Sequence, residues 1–176
     1  TEIYLKRAVV GGVDRVFEIN RNFRNEGADS SHSPEFTALE AYEAYSDYDG
    51  MAELTRNLVQ QAARDAFDLP EGGEVVTLSE YDLSGQWDKI DLYTSVSEAL
   101  GEEITVETPR EQLVAHAERI GLEVDDYAVA GKVVEDIFEE LVGNKLWAPT
   151  FVYDFPEDTS PLTRYHRSKP GLTEKW

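Results

Sequence analysis

Cysteine is absent from the 176 residues. That excludes a disulfide scaffold, a thiolate-held zinc or iron–sulfur centre, and thiol catalysis. Positive charge is scarce as well: 16 Lys and Arg stand against 36 Asp and Glu, a formal net charge of −20. A chain that grips nucleic acid by itself carries a basic face, so autonomous DNA or RNA binding is disfavoured. The acidity reads mainly as a solubilising surface. It is uneven, with 5 basic against 9 acidic residues in positions 1–48 and 11 against 27 beyond. No stretch approaches the roughly 18 apolar residues of a membrane span, so no membrane contact is expected. The opening Thr1-Glu2-Ile3-Tyr4-Leu5-Lys6-Arg7 lacks the order of a signal peptide and starts without Met, which leads us to expect a processed chain or a piece cut from a longer protein.

What is present suffices for a packed core, since 41% of the residues are hydrophobic and 11% aromatic. Residues 3–10 read as a helix stopped by Gly11-Gly12. In the run 15–24, Val16, Glu18, Asn20, Asn22 and Arg24 alternate with Phe17, Ile19, Arg21 and Phe23, as in a strand with one mostly apolar face. Turn formers fill 25–34, and 27–33 holds no large apolar side chain to anchor it. A second alternating run covers 35–45, with Phe36, Ala38, Glu40, Tyr42 and Ala44 on one face. Two strands around about ten loop residues predict an antiparallel hairpin.

Beyond it, Asp49 heads a predicted helix to about Phe67, with Leu54, Leu58, Ala62 and Ala66 as its stripe. Short strands are expected over 71–93, with turns at Gly72-Gly73 and Ser84-Gly85. Thr108-Pro109-Arg110-Glu111 reads as a capping box starting a helix that ends at Gly121. Another helix is predicted from about Asp126 to Val142, buried through Val134, Ile137, Phe138 and Leu141, followed by a strand near Thr150–Tyr153 and a loop-like tail.

The chemistry concentrates in Arg21-Asn22-Phe23-Arg24-Asn25-Glu26-Gly27. Arg24 and Glu26, two apart, share one side of an extended chain. An Arg at a strand end can clamp a phosphate or carboxylate with two parallel hydrogen bonds. A neighbouring Glu can accept from an amine or hold a metal. The plain alternative is a solvated ion pair of about 0–1 kcal/mol. Phe36 can be core or a stacking platform, His32 a ligand or an exposed loop residue, and Glu40 and Tyr42 a mere hydrogen-bonded pair.

In this context the sequence resembles the class II aminoacyl-tRNA synthetases and, within them, the lysyl-tRNA synthetase branch. Arg15 to Glu26 is similar to that family's second signature motif, with Phe23, Arg24 and Glu26 meeting its Phe-Arg-x-Glu hallmark. His32-Ser33-Pro34-Glu35-Phe36-Thr37, Leu39-Glu40-Ala41-Tyr42 and the opening Glu2 to Arg7 resemble the lysine branch, and weaker similarity runs through Thr150 to Arg164. Ser31 and Ser33 stand where that branch often carries Arg and Asn.

The resemblance implies an α+β fold: the antiparallel catalytic sheet of the family, with a second-motif hairpin over 1–48, a helical insertion over 86–146 and a return strand and loop over 147–176. It implies ATP-dependent activation of lysine and its transfer to tRNA. Arg24 would bridge the amino-acid carboxylate and the α-phosphate of ATP. Glu26 and His32 would lie on the ATP side and Phe36 on adenine. Glu2 would receive the α-ammonium of lysine, and Glu40 and Tyr42 its ε-ammonium. The ligands of magnesium, the dimer-building first motif and the third motif would lie outside these residues, leaving the piece alone inactive. The parent would be a cytoplasmic homodimer. A lysine-transferring, lipid-modifying fusion or a non-catalytic binding piece are the alternatives. An aspartate- or asparagine-specific enzyme fits worse, because Glu40 would repel an aspartate carboxylate.

Overall fold

The computed structural model describes residues 2–25, 27, 32–67, 77–78 and 81–176. It divides into two compact units, Thr1–Asp47 and Tyr48–Trp176.

The first unit is a helix followed by a hairpin. Helix α1, Glu2–Val10, ends where Gly12 adopts φ +99°, a left-handed backbone that a side chain would strain. Strands β1, Arg15–Phe23, and β2, Glu35–Glu43, pair antiparallel with Val16 opposite Tyr42, Glu18 opposite Glu40 and Asn22 opposite Phe36. The predicted hairpin therefore forms, and the pairing reaches one residue further, where the Arg24 amide donates to the Pro34 carbonyl (3.0 Å). Burial alternates along β1 and over residues 35–40 of β2. The apolar face of Phe17, Ile19, Phe23 and Leu39 is exposed, while Glu18, Asn20, Phe36, Glu40 and Tyr42 on the other face are half-buried.

In the second unit helix α2, Tyr48–Ala66, runs ahead of the short antiparallel pair β3, Thr77–Leu78, and β4, Tyr81–Asp82. The expected stripe of α2 is corrected: Leu54, Leu58, Ala62 and Ala66 are exposed, and Ala52, Gln60 and Ala63 are buried. The inward face is small and polar because Gln60 Nε2 donates to the carbonyls of Leu83 (2.6 Å) and Gly85 (3.0 Å). The predicted turn at Gly72-Gly73 lies outside the described residues.

Strand β5, Asp88–Asp91, pairs in parallel with β6, Thr150–Tyr153. This departs from an all-antiparallel expectation, though the α+β class holds, with small antiparallel ladders elsewhere. A parallel pair needs a long crossover. Here it is supplied by α3, Leu92–Leu100, α4, Arg110–Arg119, α5, Ala130–Leu141, and a 3₁₀ turn at Gly143–Lys145. These helices bury Leu92, Val96, Ile104, Leu113, Ala117, Val133, Val134 and Ile137 together. The capping box does not form. Thr108 Oγ1 accepts from the Thr105 amide instead (2.9 Å), Pro109 is the N-cap, and no side chain caps α4. Helix α5 starts later than predicted, and Asp158, far along the chain, accepts from its Gly131 amide (3.0 Å).

The tail is tied down. Strand β7, Phe155–Pro156, pairs with β8, Leu172–Thr173. Trp176 packs on Phe151 (ring centroids 4.9 Å) and its Nε1 donates to the Tyr48 carbonyl (2.8 Å). At the end of β6, Asp154 adopts φ +65° with its side chain 5% exposed. Its carboxylate accepts from the Tyr48 hydroxyl (3.0 Å) and from Lys169, whose ammonium also reaches Asp91 (3.2 Å), the N-cap of α3. Burial, and then the neighbouring Asp154, push the Tyr48 hydroxyl well above its usual range.

Candidate functional site

The hairpin gathers most of the predicted residues on one face of the first unit. Arg24 follows β1 and its guanidinium lies 5.2 Å from the centroid of the Phe36 ring on β2. Arg24 is exposed and Phe36 half-buried, so the aromatic ring orders a charge that still faces solvent.

Four residues along β2, about 13 Å at strand rise, the chemistry changes sign. Glu40 accepts from the Tyr42 hydroxyl (3.1 Å). Burial and the Glu40 carboxylate push the Tyr42 hydroxyl up to about 12, so it stays protonated and donating through neutral pH. Glu18 sits directly opposite Glu40 and accepts from Asn20 Nδ2 (2.9 Å). Two carboxylates on facing strand positions disfavour the hairpin by roughly 0.2–1 kcal/mol. The face is thus cationic and aromatic near the loop and acidic toward the strand ends.

Glu2, on α1, is engaged by Lys6 one turn on (2.5 Å), which holds its carboxyl below the usual carboxylate range. The Lys6 ammonium lies 5.7 Å from the centroid of the Tyr42 ring. His32 is exposed, three residues ahead of β2. Glu26 and Ser31 lie outside the described residues. Glu18 and Lys6 also lie close to the residues assigned to the site. Glu18 was visible as the same-face partner of Glu40 once a hairpin register was assigned, and Lys6 as the i+4 neighbour of Glu2 on a helix. Among the described residues no group of three or more His, Cys, Asp or Glu could hold a metal ion. Among those residues, too, no helix is long and apolar enough to cross a membrane.

The model of the class II tRNA synthetases specific for D, K and N matches residues 1–176, and the chain belongs to that family. It is 59% identical over 179 residues to a lysine–tRNA ligase of Kineococcus radiotolerans, covering 99% of this chain and 35% of that protein. It is 57% identical over 180 residues to a lysine–tRNA ligase of Mycolicibacterium gilvum, with the same coverage. It is also 47% identical over 182 residues to the lysylphosphatidylglycerol biosynthesis bifunctional protein LysX of Gordonia bronchialis, covering 99% of this chain and 16% of that protein. The chain therefore spans about a third of the length of the lysine–tRNA ligases it matches.

Proposed function

We propose that the chain forms the amino-acid- and ATP-binding part of a lysine–tRNA ligase. The observation that carries this reading is the polarity of the hairpin face: Arg24 over Phe36 at one end, Glu18, Glu40 and Tyr42 at the other. An elongated ligand that is anionic and aromatic at one end and cationic at the other fits it, as lysyl-adenylate does. The relatives named lysine–tRNA ligase support the same choice.

In this reading the lysine carboxylate attacks the α-phosphorus of ATP and pyrophosphate leaves. The lysyl group is then passed from the adenylate to a hydroxyl at the 3′ end of tRNA, and AMP leaves. Arg24 holds the carboxylate against the phosphate and stabilises the negative charge that builds there, without having to reorganise. Phe36 stacks on adenine, and Glu26 and His32 serve the ATP side. Glu40, with its Tyr42 partner, takes the ε-ammonium, and Glu2 the α-ammonium. A compact ammonium on a long stem needs a carboxylate and acceptor oxygens around it once out of water. Magnesium belongs to the reaction as the family carries it out, and no described residue is assigned to it. Helices α3 to α5 form the insertion over 86–146. A cytoplasmic homodimer completes the reading.

The test is lysine-dependent ATP–pyrophosphate exchange by a protein of the relatives' full length carrying this sequence. Arg24→Ala lowers exchange by about 10²–10³, and Glu40→Gln mainly raises KM for lysine. Near-normal turnover by Arg24→Ala overturns the assignment. The likeness to LysX supports a second reading, a domain that supplies lysine for lipid modification. Formation of lysyl-phosphatidylglycerol by the full-length protein would favour it.

A further inference from the structure

We propose that Lys6 is an internal stand-in for the substrate α-ammonium, held by Glu2 beside the Tyr42 ring until free lysine displaces it. The proposal rests on the lysine-site reading above and adds the group with which lysine has to compete.

Three observations carry it. The Lys6 ammonium bonds Glu2 (2.5 Å) and at the same time faces the ring of Tyr42 on another element (5.7 Å). These are two of the residues assigned to the substrate. A plain i to i+4 pair on a helix surface would engage only its own helix. Second, the neighbourhood is rich in carboxylate. Glu18 and Glu40 face each other across the strands, and the charge of Glu2 reaches the Tyr42 hydroxyl, helping to raise it. The Lys6 ammonium neutralises Glu2, the carboxylate of that set it touches, when no ligand is bound. Third, the contact is built to be given up. Both Lys6 and Glu2 have side chains 59% exposed, and an ion pair this open is weak. Lys6 offers Glu2 the kind of group the substrate's α-ammonium offers, a protonated primary amine. Lysine therefore meets a Glu2 that already holds an ammonium, and binding there exchanges one ammonium for another.

The experiment measures L-lysine binding by calorimetry on a protein of the relatives' full length carrying this sequence, as wild type, Lys6→Met, Lys6→Arg, Glu2→Gln and Glu40→Gln. Lys6→Met keeps the stem and removes the charge. It should bind lysine about two- to five-fold more tightly, the range set by an exposed ion pair. Lys6→Arg keeps the competitor and should stay at or below wild-type affinity. If Glu40→Gln weakens lysine binding while Lys6→Met leaves it unchanged or weaker, the competitor role is overturned and the lysine site stands. If neither Glu40→Gln nor Glu2→Gln changes lysine affinity, the site reading fails and the proposal with it.

Discussion

The two units solve the same small problem in opposite ways. Each sets a carboxylate, a tyrosine hydroxyl and a lysine together. In the second unit Asp154 is buried, accepts from Tyr48 and Lys169, and Lys169 also ties Asp91 at the head of α3. In the first unit Glu40 accepts from Tyr42, Lys6 reaches only the ring of that tyrosine, and Glu18 stands opposite as a second, competing carboxylate. The Asp154 arrangement has its hydrogen-bonding capacity satisfied by the fold. The Glu40 arrangement is half-exposed and electrostatically lopsided, so a cation arriving from solvent has something to gain there. A closed cluster holds architecture, and an open, frustrated one is where binding belongs.

That contrast is broken most sharply by Arg24→Ala. An exposed side chain resting on one aromatic ring contributes little to folding, so the melting transition should move by less than about 0.5 kcal/mol. Exchange activity of a full-length protein should fall by about 10²–10³, roughly 3–4 kcal/mol of transition-state stabilisation. A variant that melts early in proportion to its lost activity would make Arg24 an architectural residue.

Asp154→Ala tests the opposite cluster, and its readout is stability. Removing one member of a buried pair costs up to about 3–5 kcal/mol. The Lys169 side chain left behind is 48% exposed and can find water, so the lower figure of about 2–3 kcal/mol is expected in denaturant unfolding. Asp154→Gly separates the causes, because it loses the same carboxylate but relieves the φ of +65°. Equal stability of the Ala and Gly variants would remove backbone strain from the account.

The open face was easier to read in the sequence than the closed cluster, for physical reasons. Alternation over 15–23 and 35–43 has a period of two, and a loop flanked by turn formers leaves little choice of pairing. The faces of Arg24, Phe36, Glu40 and Tyr42 followed from that. Which face would be covered did not follow, because alternation tells two faces apart without saying what lies against either. Helix α2 misled for a related reason. Apolar spacing pointed to Leu54 and Leu58, whereas its inner side is organised by Gln60 reaching two loop carbonyls, which no hydrophobic pattern records. At α4, Thr108 had the spacing of a cap but found a partner in the preceding Thr105. The Asp154 cluster joins residues more than 100 positions apart, Tyr48 to Asp154, and only tertiary structure brings them together.

The closed cluster should also leave a mark on the pH dependence of stability. Burial draws the Asp91 carboxyl upward, but the Thr94 amide and Lys169 outweigh it and hold it below its usual range. Asp154, against an opposing effect of burial, raises Lys169. A carboxyl depressed by folding contributes stability above its unfolded pKa of about 3.9 and loses it as pH falls through the lower folded value. A lysine raised by folding contributes below about 10.4 and loses it as pH rises through the higher folded value. Both contributions are therefore present together across neutral pH. Asp91→Asn keeps the cap and removes the charge. It should flatten the acid limb by about 1 kcal/mol or less, since the two side chains are 29% and 48% exposed. An acid limb identical to wild type in urea titrations would detach Asp91 from the cluster's electrostatics.

The smallest effect is the one that separates fold from function most directly. Glu18 lies opposite Glu40 on the face, half-buried, with Asn20 as its hydrogen-bond donor. Glu18→Gln keeps the size and a hydrogen-bonding oxygen while removing one of two facing charges. If the pair exists only as an accident of register, the substitution should stabilise the chain by a few tenths of a kcal/mol, relieving like-charge opposition, and change nothing else. If the opposition is retained because a ligand ammonium needs it, the same gain in stability should come with weaker lysine binding. The loss should be smaller than that of Glu40→Gln, because Glu18 lacks the tyrosine that orients its partner across the strands. Melting and calorimetry on one variant thus give two numbers of opposite sign. A more stable protein that binds lysine as well as wild type would show that the acidic end of the face owes its specificity to Glu40 and Tyr42 alone.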